Sequence, residues 1–476
     1  MSNYKEKADE LLQKAVIAGA VFSQLDQKET DAIVEAVVRA GLKNRVKLAK
    51  LAYEETGKGV WQDKVSKNVL ATLGVYFDLM DVKTAGVISE DSLRGITEIA
   101  QPLGPILGVI PVTNPTSTVM FKIIISLKAR NPIIISPHRN AMKCCGEAAR
   151  ICYQAALEAG APDDCVQWGT DFSRELTHEL MTHPDLALIL ATGGSGLVKA
   201  AYSSGTPAIG VGAGNVPVYI EKSADIPFAV ENIILSKSFD NGTICASEQA
   251  VVVEEEIADQ VRREFEKQNC YFLNPEEVSK LEAIVIDPER GIMSPAIVGQ
   301  SALKIAGMAE ITVPDETRIL LAPQEKVGLK YPFSGEILAP ILAFYVRNNL
   351  NAALKLCIEL NYRGGIGHTA SIYSNDDDKI QTFGELMNAG RIVVNTPSSQ
   401  GAVGGLFNAL HTSLTLGCGA GGKNITTDNI TATNLINIKR VCRRRENQKL
   451  LGVPAEIYLD EKNEPDEIIR IYNWNH

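Results

Sequence analysis

The sequence predicts an α/β fold with two parallel-sheet lobes, a helical N-terminal region and a short tail. Two observations carry this expectation. Apolar runs at 106–112, 133–136, 186–190, 208–211 and 216–220 alternate with helix-like stretches such as 140–159 and 175–182. A second alternating series, at 250–253, 318–321, 341–345, 370–373 and 391–395, follows Cys245. Strands separated by helices run parallel and are covered on both faces, so they read as short continuous apolar runs. A chain of 476 residues also exceeds what one small core accommodates.

In order, residues 1 to about 92 read as helices. Leu and Ala recur at helical spacing over 30–41 and 42–56, and Gly57 stands where a left-handed C-cap belongs. The second lobe is expected over about 240–425. Beyond Ile430 the charge is mixed, and the apolar end at 468–472 reads either as a strand pairing with another subunit or as a surface extension.

Composition excludes several classes. The net charge is −10, whereas a nucleic-acid binder carries a basic footprint. Any anionic ligand must find local positive potential at helix N-termini or a few Lys and Arg. The nine cysteines are odd in number, contain no CxxC pair, and place Cys144 and Cys145 side by side in a helix-like stretch. This is neither a disulfide framework nor a zinc site, so a reducing, cytoplasmic setting and no metal are expected. The opening residues form an amphipathic pattern (Leu11, Leu12, Ala15, Val16) instead of a signal-peptide core. The most apolar stretch, 103–127, is broken by Pro111, Asn114, Pro115 and Lys122, so no membrane partner is expected.

Three segments suggest chemistry. In Ser238-Phe-Asp-Asn-Gly-Thr-Ile-Cys-Ala-Ser-Glu-Gln-Ala250, Cys245 lies between a Gly-containing turn and a run of valines. A nucleophilic thiol needs such a loop, with backbone N–H groups nearby, although a cysteine before a strand is also the usual mark of a buried small hydrophobe. In Ile110-Pro-Val-Thr-Asn-Pro-Thr-Ser-Thr118, Asn114 stands at a strand end before a helix that Ser or Thr can cap. There it either forms a turn or aims its amide at a reacting oxygen, a contact worth about 3–4 kcal/mol. Ala191-Thr-Gly-Gly-Ser-Gly opens a helix after a strand, and Gly210-Val-Gly-Ala-Gly-Asn215 is a second glycine cluster. Both let a ligand approach the backbone closely.

Together these segments resemble the aldehyde dehydrogenase superfamily. Within it they are most similar to the N-terminal half of bacterial bifunctional aldehyde–alcohol dehydrogenases. Further matching stretches follow in the same order: Ile135-Ser-Pro-His, Lys199-Ala-Ala-Tyr-Ser-Ser-Gly, Ala296-Ile-Val-Gly-Gln, Gly364-Gly-Ile-Gly-His-Thr, Asn395-Thr-Pro-Ser-Ser-Gln-Gly and Ser413-Leu-Thr-Leu-Gly-Cys-Gly. The resemblance implies two Rossmann-like lobes with a β-hairpin and tail for oligomerisation. Residues 1–239 would hold the helices and the dinucleotide-binding domain, with a hairpin near 93–110. Residues 240–425 would be the catalytic domain, and 426–476 a return segment and oligomerisation tail.

It implies Cys245 as nucleophile, Asn114 with the Cys245 N–H as oxyanion hole, and His368 as a proton carrier near the thiol. It implies a dinucleotide site of Thr113, Ser136, Pro137, His138, Gly193, Gly194, Ser195, Gly212, Gly214 and Glu336, with Glu336 on the nicotinamide ribose. NAD is the expected cofactor. NADP stays open because His138 and Arg139 tolerate a 2′-phosphate. A homodimer or higher oligomer is expected.

Two departures sharpen the reaction. Hydrolytic members activate water with a Glu in a Glu-Leu-Gly-Gly motif, but the corresponding stretch here, Ile209-Gly-Val-Gly-Ala-Gly-Asn215, has no acid. A thiolate needs no such base, so coenzyme A is the expected acyl acceptor. The chain also follows the bifunctional enzymes only through part of their linker (Arg443–Arg445 to Tyr458), and no histidine cluster suited to iron follows, so no alcohol dehydrogenase activity is expected. The expected substrates are acetaldehyde and its acyl-CoA. Sulfoacetaldehyde, propionaldehyde, butyraldehyde and succinate semialdehyde are the alternatives within this branch. A hydrolytic enzyme and a catalytically silent scaffold are the other readings.

Overall fold

The computed structural model describes residues 2–169, 172–287 and 292–474. The N-terminal helices end sooner than the periodicity suggests. Helices Ser2–Phe22, Gln27–Lys43, Arg45–Thr56 and Trp61–Val69 come first, and the last continues through a π-helical turn, Leu70–Gly74, into Val75–Leu79. A capping box at Asp26 and Glu29 starts the second helix, and Gly57 at φ +64° ends the third, as its position predicts.

The chain then turns to strands. β1 (Gly86–Asp91) and β2 (Ile96–Pro102) form an antiparallel hairpin that starts ahead of the expected 93–110. Next come β3 (Ile106–Ile110), β4 (Ile133–Pro137), β5 (Val166–Gln167), β6 (Leu188–Thr192) and β7 (Ala208–Val211). They form a five-stranded sheet in the order β5-β4-β3-β6-β7, with every pair parallel.

β8 (Val216–Ile220) corrects the sequence reading. It does not continue this series but pairs with β9 (Glu248–Glu254) in the second sheet. That sheet adds β10 (Cys270–Phe272), then, after a small ribbon of β11 (Ile286–Asp287) and β12 (Ile292–Met293), the strands β13 (Ile319–Pro323), β14 (Ile341–Arg347), β15 (Gly367–Tyr373) and β16 (Ala389–Val394). Its order is β10-β13-β14-β9-β8-β15-β16, again all parallel. The two sheets therefore part within 212–215 and not at 239/240. Helix Ile226–Ser238 packs in the core of the second lobe through Ile226, Val230, Ile233 and Ile234.

β17 (Ile436–Cys442) returns to pair antiparallel with β2, completing a three-stranded sheet. The end at 468–472 is helical, not a strand: it lies in helix Pro465–Trp474, which Asp466 and Glu467 open. Acidic residues in a first turn favour the helix dipole, and proline suits a helix start. Among the described residues no helix is long and apolar enough to cross a membrane.

Candidate active site

The topology brings the predicted residues together. In the five-stranded sheet the order reverses between β3 and β6, so their C-terminal ends open a crevice. Asn114 follows β3, while Thr192 ends β6 and leads into Gly193 and Gly194. In the second sheet β9, β8 and β15 are neighbours. At their N-terminal ends stand Cys245, Gly214 and His368. A Cβ on Gly214 would lie 2.1 Å from the Cys245 carbonyl oxygen and 3.2 Å from His368 Nδ1, so only glycine fits between them.

Asn114, Thr192 and Cys245 line one cavity. Its other walls are largely apolar, with Leu70, Phe239, Ile244, Val403, Leu406, Leu414 and Leu416, together with Ser66, Ser117, Thr118, Ser399 and Gln400. Lys67 is the one charged side chain among the lining residues, and none is a carboxylate. The π-helical turn sets Leu70 on this wall. Such turns recur at functional sites because they shift side chains out of the helical register.

The loop carrying Cys245 is strained. Asp240 (φ +48°), Asn241 (φ +53°) and Gly242 (φ +70°) are consecutive left-handed residues. Such backbone persists only where its surroundings over-determine it. Here the buried Asp240 carboxylate accepts from Val60 N–H (2.6 Å), Lys64 Nζ (3.0 Å), Thr243 Oγ1 (2.7 Å) and Lys67 Nζ. Its own N–H donates to Asp63 Oδ2 at 2.7 Å. Burial works to raise the Asp240 carboxyl, but Lys67 and then Lys64 outweigh it and hold it below its ordinary value.

Cys245 is partly exposed to the cavity. Burial first, and the Glu336 carboxylate second, push its thiol up to about 12, while Arg391 pulls the other way. Glu336 accepts the Gly214 N–H at 2.8 Å, and burial raises it to about 7. His368 is fully buried. Its Nδ1 pairs with Thr369 Oγ1 (2.9 Å), its Nε2 has no partner among the described residues, and burial, then Arg391, lower it to about 3. It is therefore held neutral, and its surroundings oppose the uptake of a proton. Arg391 is itself buried among oxygen acceptors: Asn429 Oδ1 (2.6 Å) and the carbonyls of His368 (2.8 Å), Thr427 (2.9 Å) and Gly417.

Asn114 immediately precedes helix Pro115–Lys128, but neither it nor a Ser or Thr caps that helix through a side chain. Its Oδ1 instead accepts from Lys67 Nζ at 2.6 Å, and its Nδ2 donates to Thr113 Oγ1 at 3.2 Å.

The predicted dinucleotide residues fall in four places, of which the Gly214–Glu336 contact beside Cys245 is one. Gly194 precedes helix Ser195–Tyr202, which the Ser195 backbone opens, and Gly193 donates its N–H to the Val211 carbonyl at 3.3 Å. Cβ atoms at Gly194, Gly196 or Gly212 would meet nothing within 4 Å, so this backbone faces open space, as a close-lying phosphate requires. A second, more open cleft joins Gly212 to Lys199, Tyr202, Tyr362, Cys418 and Lys423. Ser136 and Pro137 end β4, where Ser136 Oγ pairs with Thr177 Oγ1 (2.9 Å); His138 is exposed just beyond, accepting from Asn140 N–H. Thr113 is buried behind Asn114, and its carbonyl accepts from Lys64 (3.2 Å).

The aldehyde dehydrogenase family model matches residues 2–272. The chain belongs to this family. It is 45% identical over 466 residues to the bifunctional aldehyde-alcohol dehydrogenase of Escherichia coli, a match covering 96% of this chain and 52% of that protein. The chain thus spans about half the length of the bifunctional relatives it matches. An acetylating aldehyde dehydrogenase from Geobacillus thermoglucosidasius superposes with a TM-score of 0.91 at 47% identity, covering 94% of this chain and 98% of that one. A propionaldehyde dehydrogenase of Rhodopseudomonas palustris with bound CoA and an acylated cysteine superposes with a TM-score of 0.80 at 28% identity, covering 92% and 97%. The two-lobed α/β architecture inferred from the sequence is the fold of these structures.

Sequence reasoning missed Lys67, Asp240 and Arg391. A lysine pair at i and i+3 with an acid beside it, Asp63-Lys64…Lys67, resembles an ordinary solvated helix face, and only the fold turns it inward.

Proposed function

We propose that the chain is a coenzyme A-acylating aldehyde dehydrogenase using NAD, with a short uncharged aldehyde, acetaldehyde first, as substrate. The supporting observation is a cavity that holds a cysteine and an amide donor but no carboxylate among its lining side chains. The Cys245 sulfur adds to the aldehyde carbon and its proton passes to water in the cavity; the buried His368, held near 3, stays neutral beside Gly214 and is too weak a base to keep that proton. The oxygen gains the charge and faces Asn114 Nδ2 and the Cys245 N–H. Bound NAD, which fits the open glycine backbone and Glu336, supplies the hydride acceptor. The acyl group is left as a thioester on Cys245.

Water attacks a thioester slowly without a base. An ordinary thiol is a few per cent ionised near neutral pH, which is enough for the thiol of coenzyme A to attack without a base. It takes the acyl group and releases the Cys245 sulfur. The Lys199 and Lys423 cleft suits an anionic cofactor. The acetylating Geobacillus relative and the CoA-bound Rhodopseudomonas relative support this acceptor. The apolar walls, and a Lys67 already engaged by Asp240, favour an uncharged aldehyde over sulfoacetaldehyde or succinate semialdehyde.

The test is reduced-cofactor formation from acetaldehyde and NAD, with and without coenzyme A. Strict dependence on coenzyme A is expected, with turnover absent in Cys245→Ala. Steady turnover without coenzyme A would sink the acylating reading and direct attention to Glu336 as a water-activating base. The rate ratio of acetaldehyde to sulfoacetaldehyde checks the substrate charge.

A further inference from the structure

We propose that Lys67 is the positioning residue of the oxyanion hole: it fixes which end of the Asn114 amide faces the cavity and sets a positive charge behind it. This rests on the assignment of Asn114 as oxyanion donor above. Three observations carry it.

The first is donor chemistry. An ammonium has three N–H donors and no acceptor. The Asn114 atom lying 2.6 Å from Lys67 Nζ must therefore be the carbonyl oxygen. The NH₂ end is left to face elsewhere, beside Thr113 Oγ1. A flipped amide would set two donors against each other and turn a lone pair toward the developing oxyanion. The second is placement of charge. The Asp240 carboxylate receives both Lys64 and Lys67, with the Asp63 carboxylate close by, so the cluster is balanced, and Lys67 is the ammonium that reaches out of it to the Asn114 carbonyl oxygen.

The third is connectivity. Lys67 also donates to Thr243 Oγ1 at 2.9 Å, two residues before Cys245, so one ammonium ties the oxyanion donor to the nucleophile loop. Helix Trp61–Val69 supplies Asp63 and Lys64 as its charged neighbours, the loop supplies Asp240, and the Phe239 ring lies 5.7 Å away. Burial brings the ammonium down to about 8, with Asp240 working against the fall.

The readout is the first-turnover rate of NADH formation from acetaldehyde and NAD without coenzyme A. It is measured in wild type, Lys67→Met, Asn114→Ala and the double variant. Losing one oxyanion donor costs on the order of 100-fold or more. Lys67→Met is expected to lose about that much rate while half-saturation for acetaldehyde and NAD stays within about twofold. The double variant should fall no more than about threefold below Asn114→Ala, because Lys67 acts through the amide. Losses that multiply, or a Lys67→Met rate within threefold of wild type while Asn114→Ala is crippled, overturn the proposal and leave Asn114 standing. A wild-type rate in Asn114→Ala overturns the oxyanion assignment and this inference with it. If Lys67→Met does not fold, Lys67→Gln enters the same cycle, and non-additivity with Asn114→Ala decides.

Discussion

The free enzyme is expected to keep its nucleophile silent, and the structure sets the size of the effect. An ordinary thiol ionises near 8.5, whereas burial and then Glu336 carry Cys245 to about 12. At 1.36 kcal/mol per tenfold, the thiolate is disfavoured by about 5 kcal/mol. At pH 7.5 on the order of one Cys245 in 10⁴ to 10⁵ is ionised. The perturbation is Glu336→Gln. Glu336 is charged above about 7 and neutral below, so its repulsion of the thiolate operates only above that pH. The variant should lower the Cys245 thiol by an amount that speeds alkylation about tenfold above pH 8, and merge with wild type below pH 6. Burial, the larger cause, remains in both.

The assay is iodoacetamide alkylation between pH 6 and 10, read by mass spectrometry of the Cys245 peptide, with the exposed Cys442 as accessible control. In wild type the Cys245 rate should be on the order of 10³-fold below that of an ordinary exposed thiol at pH 7.5, and rise about tenfold per pH unit. A wild-type plateau below pH 8.5 would refute the burial argument. Coincident profiles for wild type and Glu336→Gln above pH 8 would refute the role of the carboxylate.

Two glycines give sharper structural tests. Gly59 has φ +75°, and a Cβ there would lie 1.9 Å from Asp240 Oδ1; Gly59→Ala should lower the stability measured by urea unfolding by about 3 kcal/mol or more, and a loss under 1 kcal/mol would contradict the packing described. Gly214→Ala drives a methyl group against the Cys245 backbone carbonyl, which yields only if the nucleophile loop moves, so turnover should fall about 100-fold together with a stability loss of about 2 kcal/mol or more, and near-normal turnover would show that this close approach is dispensable.

Much of the fold was legible because buried parallel strands announce themselves as short apolar runs. What the runs do not encode is pairing. Val216–Ile220 reads as a strand from its own residues, but its place between β9 and β15 is decided by partners 30 and 150 residues away. The run at 468–472 is too short to separate helix from strand by period; Pro465, Asp466 and Glu467 were the start signal that identifies it as helical. Cys245, Asn114, His368 and Glu336 were found through their motifs, and the structure gathers them around Gly214 and the cavity. Lys67, Asp240 and Arg391 carry no local motif. Their importance comes from burial of charge, which periodicity does not register when the buried face of a helix is itself polar, as with Lys64, Lys67 and Asn68.

The return of β17 to the hairpin has a consequence for how the chain is made. Ile430, Ala432 and Leu435 pack in the same core as Ile106 and Ile133, and Asn131 donates to the Leu435 carbonyl at 2.8 Å. The five-stranded sheet is fully synthesised at Val211, yet these pieces emerge more than 200 residues later. At 5–20 residues per second the interval is roughly 10–45 s. Throughout it, the first lobe on the ribosome has an open core and an unpaired β2 edge, the kind of surface that recruits neighbouring nascent chains.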